Sequence, residues 1–480
     1  MPRNAWLLAL GAIALRAAAA LTVVVLDSDG ARDLRMAELL EQGRFAEALT
    51  VPPPTPPLHA FLSALSDLAI GNPLVAGVAV SVLLGGLALL PLYWMVRRTW
   101  DERVATVAAA LYACLPALVD IHAEAMTEGT FLFFFFTAMA LGWSALEERS
   151  WERTVVAAGC SVLAWLARPE GLYLLPLFLA AAALRFSRFA PMGVLLFLAT
   201  ALVLAYPYLT FIHARTGHWQ GSLSPIPGMI RDFLAGRREA GTATQDFEEY
   251  RVVARHGVLL GGLRHLGSNF FGKVLFYVLG PFLVLGCFRA MPAPQGRRLL
   301  AFQVLAAVGY VIPLALSFAA ATPFSHRFLL APAALLLPLS AVGMIRAADW
   351  TRRRGALPVL VAALCIAMTV RDLRPRRADK VGMKDAGLAI LKTLGPGKRV
   401  FSTHPQVEFY ARSQYLGLPE SATADLLLSS KMDAYAFCAP DLRRWEPLLE
   451  ERIREKSVFL GEFPSPPRKD ALPVRVYLAK

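Results

Sequence analysis

The stretch Leu21–Phe45, LTVVVLDSDGARDLRMAELLEQGRF, joins an apolar run to a charged, amphipathic segment. The apolar run begins at Ala5 and stops at Asp27 and Asp29. Apolar residues then recur at helical spacing between charged ones, which predicts a helix lying in the membrane interface. We interpret the stretch as a first membrane span that delivers two carboxylates to the bilayer surface. Carboxylates at this depth are costly unless solvated or paired, which favours a functional role; the alternative is that Asp29 only caps the following helix.

The composition is that of an integral membrane protein. Of the 480 residues, 56% are hydrophobic and 18% are charged, whereas a soluble domain carries about 25% charged residues. A single soluble core is therefore excluded. The net charge of +13 comes from basic residues in short loops between apolar runs, which indicates membrane topology and not a nucleic-acid-binding face. The five cysteines show no CxxC spacing, so neither a zinc site nor a disulfide framework is indicated.

Apolar runs long enough to cross a bilayer recur along the first three-quarters of the chain. We predict an all-α polytopic fold with about eleven transmembrane helices. The predicted spans lie near residues 5–26, 73–95, 103–121, 129–146, 153–167, 171–185, 190–212, 270–288, 299–320, 328–347 and 355–371. The segment 57–70 is apolar but short, and it is predicted to be interfacial or re-entrant. The first run is longer than the apolar core of a signal peptide, so it is read as an anchor.

Successive short loops alternate between arginine-rich and arginine-poor. Because arginine-rich loops are cytoplasmic, the alternation places the N-terminus in the cytoplasm. The outer loops are then 27–72, 121–128 and 213–269, and a loop as long as the third is usually functional. Four arginines after the last span depart from the alternation, and one further span would move the tail to the cytoplasm; they are Arg371, Arg374, Arg376 and Arg377. We keep the tail outside.

The chain divides into a transmembrane domain, 1–371, and a tail, 375–480. The tail is predicted to be a small extracytoplasmic α/β domain. Its predicted helices cover 380–394, a short segment from Glu408 and 441–456, and its predicted strands lie near 399–402, 434–438 and 474–478. It carries no glycine-rich phosphate loop and no metal-ligand spacing.

Polar groups concentrate in the outer loops and suit group transfer from a phosphate-linked donor. The carboxylates Asp27, Asp29 and Glu124 are candidates for a general base. Arg168 and Arg327 could hold a leaving phosphate through their fixed donors. Candidate contacts beside them are His326 for the phosphate, and His122, Glu128 and His59 for substrate. The alternatives are that both arginines only extend to the lipid head groups and that Glu128 caps the fourth span.

The order of these features resembles the GT-C superfamily of polyprenyl-phosphate-sugar-dependent glycosyltransferases, nearest to aminoarabinose transferases and protein O-mannosyltransferases. The resemblance covers roughly residues 5–347. It rests on five segments: Asp29-Gly30-Ala31-Arg32-Asp33 followed by Glu41-Gln42-Gly43; Pro56-Pro57-Leu58-His59-Ala60; His122-Ala123-Glu124-Ala125-Met126-Thr127-Glu128; Leu166-Ala167-Arg168-Pro169-Glu170; and His326-Arg327-Phe328.

The resemblance implies that Asp29 is the base, Glu124 a second acid, and Arg168 and Arg327 contacts of the lipid phosphate. The family often has an aromatic residue where this chain has Asp33, so the register between Asp27 and Asp29 stays open. Some members bind a divalent metal between the two acids, and the sequence leaves the cofactor unknown.

The function predicted from the sequence is a multi-pass glycosyltransferase of the inner (plasma) membrane with an extracytoplasmic active site. It would move a sugar from a polyprenyl-phosphate carrier to a lipid, protein or glycan acceptor; no nucleic acid is involved. The alternative is a transporter or flippase for lipid-linked saccharides without catalytic chemistry. A transporter should place charged or helix-breaking residues near mid-bilayer in two corresponding halves. The concentration of polar groups at one face favours the enzyme.

Overall fold

The computed structural model describes most of the chain. The described residues are 1–49, 55–185, 188–217, 219, 264, 266–288, 292, 294–319, 325–351, 355–414, 430–438, 449–464 and 473–479. Most of the predicted outer loop 213–269 and the first part of the predicted helix 441–456 lie outside the described residues.

The fold is mainly helical. Its α-helices are Arg3–Ala20, Ser28–Glu41, Phe45–Ala48, Leu58–Ile70, Pro73–Leu87, Leu89–Thr99, Glu102–Cys114, Pro116–His122, Thr127–Glu148, Trp151–Ala167, Leu174–Arg185, Ala190–Thr216, Leu279–Cys287, Pro294–Ala319, Leu330–Trp350, Ala356–Asp372, Val381–Leu394, Pro405–Tyr410 and Leu449–Lys456. Among the described residues, three short 3-10 helices cover Pro169–Tyr173, His326–Leu329 and Ala378–Lys380, and a π-helix covers Asn269–Val274.

By length and composition, five helical segments of the described chain could cross a membrane. They are Pro73–Thr99, Thr127–Glu148, Ala190–Arg215, Gly296–Ala315 and His326–Trp350. Two bent pairs, Glu102–Cys114 with Pro116–His122 and Leu266–Val274 with Leu279–Cys287, raise the number to seven if each pair is one span. The prediction of a polytopic helical membrane protein is confirmed. Helices also form at the remaining predicted spans, but the count of about eleven stays a prediction.

Three predicted spans are interrupted within the described residues: the bend of 112° between Leu266–Val274 and Leu279–Cys287 breaks the span 270–288, and the other two breaks each have a local reason. The first helix ends at Ala20, before the β-branched run Thr22–Val25, whose side chains restrict helical backbone. The predicted span 103–121 bends by 53° between its two helices. Leu115 is extended there because Pro116 follows it and disfavours the helical conformation of the preceding residue.

The chain forms two compact units. One contains Met1–Ala18, Ser81–His122 and Thr127–Asp372, and the other contains Ala19–Val80, Ala123–Met126 and Leu373–Lys480. We call these the bundle unit and the tail unit. The tail unit therefore includes two segments from the first part of the chain, and the prediction that 375–480 folds as a domain of its own stays a prediction.

The tail unit contains a four-stranded sheet. Its strands are β1 Val400–Ser402, β2 Ala434–Cys438, β3 Ser457–Phe463 and β4 Val474–Ala479, in the order β1-β2-β4-β3. β1 is parallel to β2, and the other pairs are antiparallel. Met383, Ala386 and Ile390, on the helix Val381–Leu394, pack against buried strand residues. The predicted α/β character is present; strand β3 was not predicted.

The helix Ser28–Glu41, which we call the acid helix, packs within the tail unit. Its residues Met36, Ala37 and Leu39 form a buried cluster with Ala60 and Ala64 of the helix Leu58–Ile70. The predicted amphipathic helix is thus present. Its apolar face is buried against a second helix, which fixes where its acidic N-terminus lies in the unit.

Candidate active site

The acid helix begins with Asp27 as its cap. The Asp27 backbone is extended, and its carboxylate Oδ1 accepts the backbone N–H of Asp29 at 3.0 Å. A cap of this kind satisfies one of the N–H groups that a helix start leaves unpaired. The alternative that Asp29 caps this helix is wrong, because Asp27 holds that position. Asp29 lies instead in the first turn, where the helix dipole favours a negative charge.

Asp27 and Glu124 share one arginine. Nη1 of Arg377 lies 2.7 Å from Oδ2 of Asp27, and Nε of Arg377 donates to both carboxylate oxygens of Glu124 at 2.8 Å. The Glu124 side chain is 4% exposed and the Asp27 side chain 13% exposed. We call Asp27, Glu124 and Arg377 the acid cluster. The structure thus brings Glu124 together with Asp27.

Asp29 has a different environment. Its Oδ1 lies 3.4 Å from Nη1 of Arg32, one turn further along the acid helix, and its side chain is 33% exposed. An ion pair this exposed contributes little to stability. Of the two aspartates at the start of the acid helix, Asp27 is bound on both oxygens, and the side chain of Asp29 is the more exposed, at 33% against 13%.

The pKa of the Glu124 carboxyl lies above the ordinary value of a glutamate. Burial raises its pKa to about 7, while Arg377 acts in the opposite direction and Asp27 adds to the increase. Burial raises the pKa because it disfavours the charged form, and a nearby cation favours that form. The charge of the acid cluster is therefore sensitive to pH in the physiological range.

Backbone contacts hold Arg377 beside the residues that lead into the acid helix. Val23 pairs with Arg376 as an isolated parallel bridge. The Val24 N–H donates to the Arg376 carbonyl at 3.1 Å, and the Arg376 N–H donates to the Thr22 carbonyl at 3.0 Å. This bridge fixes the register between the start of the tail and the first acid.

Side chains of the tail reinforce the same segment. The Lys384 ammonium donates to the Val24 carbonyl at 3.2 Å, and the Tyr410 hydroxyl accepts the Leu26 N–H at 3.0 Å. A Cβ added to Gly30 would lie 2.7 Å from the Ala125 carbonyl oxygen. Only glycine permits so close an approach, so the segment 123–126 lies directly on the acid helix.

A second charged group, the arginine cluster, lies in the bundle unit and comprises Glu128, Arg168, Glu170 and Arg327. Nη1 of Arg168 lies 2.5 Å from Glu128, and its Nη2 and Nε donate to Glu170 at 2.8 and 3.2 Å. Nε of Arg327 lies 3.7 Å from Glu128. Both guanidinium groups also lie near the Phe328 ring, at 5.2 and 5.8 Å from its centroid. The structure therefore brings Arg168 and Arg327 together at one carboxylate.

The turn that carries Arg168 depends on glycine. Arg168 has extended backbone at the end of the helix Trp151–Ala167, and the 3-10 helix Pro169–Tyr173 follows. A Cβ on Gly171 would lie 2.2 Å from the Trp165 nitrogen. The turn folds back on the preceding helix and so brings the Glu170 carboxylate to Arg168. Burial alone would raise the pKa of Glu170, but Arg168 holds it below the ordinary value.

Further cations surround His326, at the start of the 3-10 helix His326–Leu329. Lys273, Arg327 and Arg371 interact electrostatically with the His326 ring, as does Asp120. Lys273 lies on the π-helix, a rare geometry that often occurs at functional sites. Arg371 pairs with Asp120 at 2.9 Å. Lys273 and Glu170 are not among the site residues predicted from the sequence, where Arg371 and Arg377 stand only as a departure from the topology rule.

The remaining predicted contacts, His122 and His59, are fully buried. Nδ1 of His122 accepts from Nε of Arg16 at 3.0 Å, and Arg16 also donates to backbone carbonyls, including that of Ala12. The His59 carbonyl accepts from the Ser63 hydroxyl at 2.8 Å. These contacts describe packed interior groups, so the assignment of either histidine to substrate stays a prediction.

The family resemblance leaves open a divalent metal between Glu124 and one of the two aspartates, Asp27 or Asp29. Within the described part of the chain, no group of three or more His, Cys, Asp or Glu side chains is arranged to hold a metal ion. Between Asp27 and Glu124 lies the Arg377 guanidinium, which supplies the positive charge. The side chains described at this site do not fit a metal centre.

Comparison with known proteins gives a family match and several structural likenesses. The family model described as dolichyl-phosphate-mannose-protein mannosyltransferase matches residues 54–211. The search of curated proteins gives no significant match. The crystal structure of ArnT from Cupriavidus metallidurans in the apo state has a TM-score of 0.63 at 13% identity, covering 98% of this chain and 97% of that one. ArnT bound to undecaprenyl phosphate gives 0.61 at 13% identity, covering 99% and 98%.

An archaeal structure shows the same likeness. The oligosaccharyltransferase AglB from Archaeoglobus fulgidus, in complex with an inhibitory peptide and a dolichol-phosphate, gives a TM-score of 0.55 at 13% identity. The match covers 95% of this chain and 72% of that one. At this identity the likenesses show a shared fold, and it extends over nearly the whole chain. The fold and the family match together support a membrane glycosyltransferase of the GT-C type, the class that the sequence predicted.

Proposed function

We propose that the protein transfers a sugar from a polyprenyl-phosphate donor to an acceptor hydroxyl on the extracytoplasmic face of the inner membrane, with Asp29 as general base. The observation that carries the proposal is the pair of carboxylates at the start of the acid helix. Asp27 is engaged as helix cap and as partner of Arg377, whereas Asp29 is one-third exposed. A base must reach the proton that it removes, and Asp29 is the acid with that access.

The polyprenyl-phosphate donor is supported by the neighbours. The ArnT structure holds undecaprenyl phosphate and the AglB structure a dolichol-phosphate, and both share this fold. In this chain, the side chains suited to a lipid phosphate are those around His326. Arg327 and Lys273 supply cations there, while the donors of Arg168 are largely engaged by Glu128 and Glu170. We therefore propose that Arg327, His326 and Lys273 contact the phosphate and that Arg168 holds the two carboxylates beside them.

The reaction balances with these groups. The Asp29 carboxylate accepts the proton of the acceptor hydroxyl as its oxygen attacks the anomeric carbon of the donor sugar. The bond between that carbon and the phosphate oxygen breaks, and the electron pair leaves with the polyprenyl phosphate. Cations at the phosphate stabilise the charge that develops on the leaving group. A new glycosidic bond and a free lipid phosphate are the products.

The proposal that the active site lies on the extracytoplasmic side is based on the distribution of arginines among the short loops. Short loops alternate between arginine-rich and arginine-poor, and the acid helix follows the first span on the arginine-poor side. An acceptor in the aqueous phase would approach Asp29 from that side, while the isoprenoid chain of the donor stays in the bilayer.

The proposal that Asp29 is the general base is tested by mass spectrometry of lipid extracts from cells that carry the wild-type protein or Asp29→Asn. Loss of the base should reduce transfer by roughly a hundred-fold to ten-thousand-fold while expression stays normal. Asp27→Asn should be milder, because asparagine also caps helices well. Glu38→Gln is the matched control, because it removes an acid from the same helix. Within the described part of the chain, the ion-pair partner of Glu38 is its neighbour Arg35. Near-normal transfer by both Asp29→Asn and Asp27→Asn would refute the proposed glycosyltransferase mechanism and favour the alternative, a transporter of lipid-linked saccharides.

The phosphate site is tested by replacing Arg327 with lysine. Lysine keeps the charge but loses the planar fork that can bind two phosphate oxygens. The expected result is a raised KM for the polyprenyl donor, with a smaller effect on kcat. Unchanged kinetics in Arg327→Lys and in Lys273→Gln would remove both residues from the site.

A further inference from the structure

Arg377 has three features that the proposed reaction does not explain. It lies at the start of the tail, far from the acids in sequence, and yet it contacts both Asp27 and Glu124. Its side chain is three-quarters buried, being 23% exposed. Its backbone has a φ of 55°, in the left-handed region that favours glycine.

The left-handed backbone has a conformational cost. For a residue with a Cβ, this region is less favourable than right-handed backbone, because the Cβ comes too close to the following carbonyl oxygen. Strained residues of this kind are kept where the surrounding structure fixes them, often at functional sites. Here the Arg376 bridge to Val23 and the Lys380 N–H, which donates to the Arg377 carbonyl at 3.0 Å, fix the segment on both sides. The strain aims the guanidinium between the two carboxylates.

Without this cation, the two carboxylates would face each other in a poorly hydrated place. Like charges at close range disfavour ionisation of at least one of them. Several charged or titratable groups interact with Glu124; those described are Asp27, Arg376, Arg377 and the Tyr410 hydroxyl. Within the described part of the chain, the side-chain hydrogen bonds that Glu124 accepts come from Arg377. Arg377 therefore sets the geometry of the pair.

We propose that Arg377 is a positioning residue of the active site: its guanidinium ties Glu124 to Asp27, the cap of the acid helix, and so orients the start of that helix for catalysis. The inference rests on the proposed function, because the residue it positions is the base Asp29. It assigns the beginning of the tail to the active site. A guanidinium suits this role because its planar fork binds two carboxylates with fixed angles, which a lysine ammonium does not reproduce.

Arg377→Gly is the informative substitution. Glycine adopts a positive φ without a steric cost, so the variant loses the guanidinium but not the backbone turn. Arg374→Gln is the matched control, since it removes an exposed positive charge three residues earlier. Arg377→Lys retains the charge without the fork. A displacement of about 1 Å at a reacting group can cost roughly a hundred-fold in rate. We expect a loss of that order in Arg377→Gly, a smaller loss in Arg377→Lys and none in the control.

Two readouts separate positioning from a general structural role. The first is the pH dependence of kcat/KM. Removing the cation raises the pKa of Glu124 above its value of about 7, so the acid limb of the profile should move to higher pH in Arg377→Gly. The second is chemical rescue with millimolar methylguanidinium, compared with the same concentration of potassium chloride. It should restore part of the transfer activity and raise the melting temperature of Arg377→Gly, with no such effect on the wild-type protein.

The outcomes distinguish this inference from the proposed function. If Arg377→Gly keeps wild-type activity and an unchanged pH profile, Arg377 does not position the site. If activity falls but methylguanidinium changes neither transfer nor melting temperature, the residue acts only through folding and the inference is overturned. The melting measurement does not depend on any transfer reaction. A different result would separate the two proposals. If methylguanidinium raises the melting temperature of Arg377→Gly but Asp29→Asn transfers sugar normally, the ion bridge of Arg377 with Asp27 and Glu124 stands and Asp29 is not the base.

Discussion

Replacing Arg168 with glutamine tests the arginine cluster of the bundle unit. The substitution removes a guanidinium that donates to two carboxylates, Glu128 and Glu170. The side chains of all three residues are between 3% and 11% exposed, so water does not replace the lost partner. The cluster of two carboxylates and two guanidinium groups changes from neutral to a net charge of −1.

The expected cost follows from this burial. Removing one partner of a buried ion pair costs about 3–5 kcal/mol, because the other charge stays buried without compensation. Arg327, whose Nε lies 3.7 Å from Glu128, remains as a partial partner, which places the loss near the lower end. The bundle unit has roughly 300 residues; at about 2.1 cal/mol/K of unfolding entropy per residue, 1 kcal/mol lowers its Tm by roughly 1.6 °C, so a decrease of about 5 °C is expected.

The assay is thermal unfolding of the purified protein in detergent, followed by intrinsic fluorescence. The double variant Arg168→Gln with Glu170→Gln restores neutrality, since Glu128 and Arg327 remain. It should therefore melt above the single Arg168→Gln variant, although it carries one more substitution. A coupling of this sign is the signature of an ion pair and not of lost packing.

The pH dependence supplies a second check. The pKa of Glu170 lies below its ordinary value in the folded protein. The ion pair therefore contributes stability above the pKa of the unfolded chain, and this contribution is lost as the pH falls through the folded value. In Arg168→Gln, burial without Arg168 raises the pKa of Glu170, so protonation relieves the buried charge. The difference in Tm between wild type and variant should shrink as the pH is lowered from about 8 to about 5. Either of two results would refute the reasoning: a Tm of Arg168→Gln equal to that of the wild type, or a Tm of the double variant below that of Arg168→Gln.

Two further predictions concern the acid helix and the topology. Gly30→Ala should lower the free energy of unfolding by about 1–3 kcal/mol and reduce transfer, because the new Cβ would lie 2.7 Å from the Ala125 carbonyl oxygen. Gly11→Ala is the control: the space around its Cβ is open, so this variant should fold normally. Single cysteines at Ser28 and Thr393 should both react with an impermeant reagent in intact spheroplasts, since both lie on the proposed extracytoplasmic side. Labelling of only one of the two would contradict that topology.

The sequence by itself determined the fold class and most helices. Apolar runs of about twenty residues have few stable structures other than a membrane helix, so composition and periodicity were sufficient. Local signals also predicted the acid helix, whereas the break near Pro116 was not predicted, because the apolar run 103–121 continues through it. The positions of Glu124 and Arg168 in short turns between apolar runs made them visible as candidates, because charged residues beside hydrocarbon are costly.

Tertiary structure alone decided the environment of each acid. Which aspartate caps the acid helix depends on backbone angles at Asp27, and its ion pair depends on Arg377 from the start of the tail. Strand β3 was not predicted because its strand character depends on pairing with β4. Sequence patterns report which residues face a core or a membrane, since that depends on neighbours along the chain. They do not report which distant side chain neutralises a buried charge, because that partner is set by packing of segments remote in sequence.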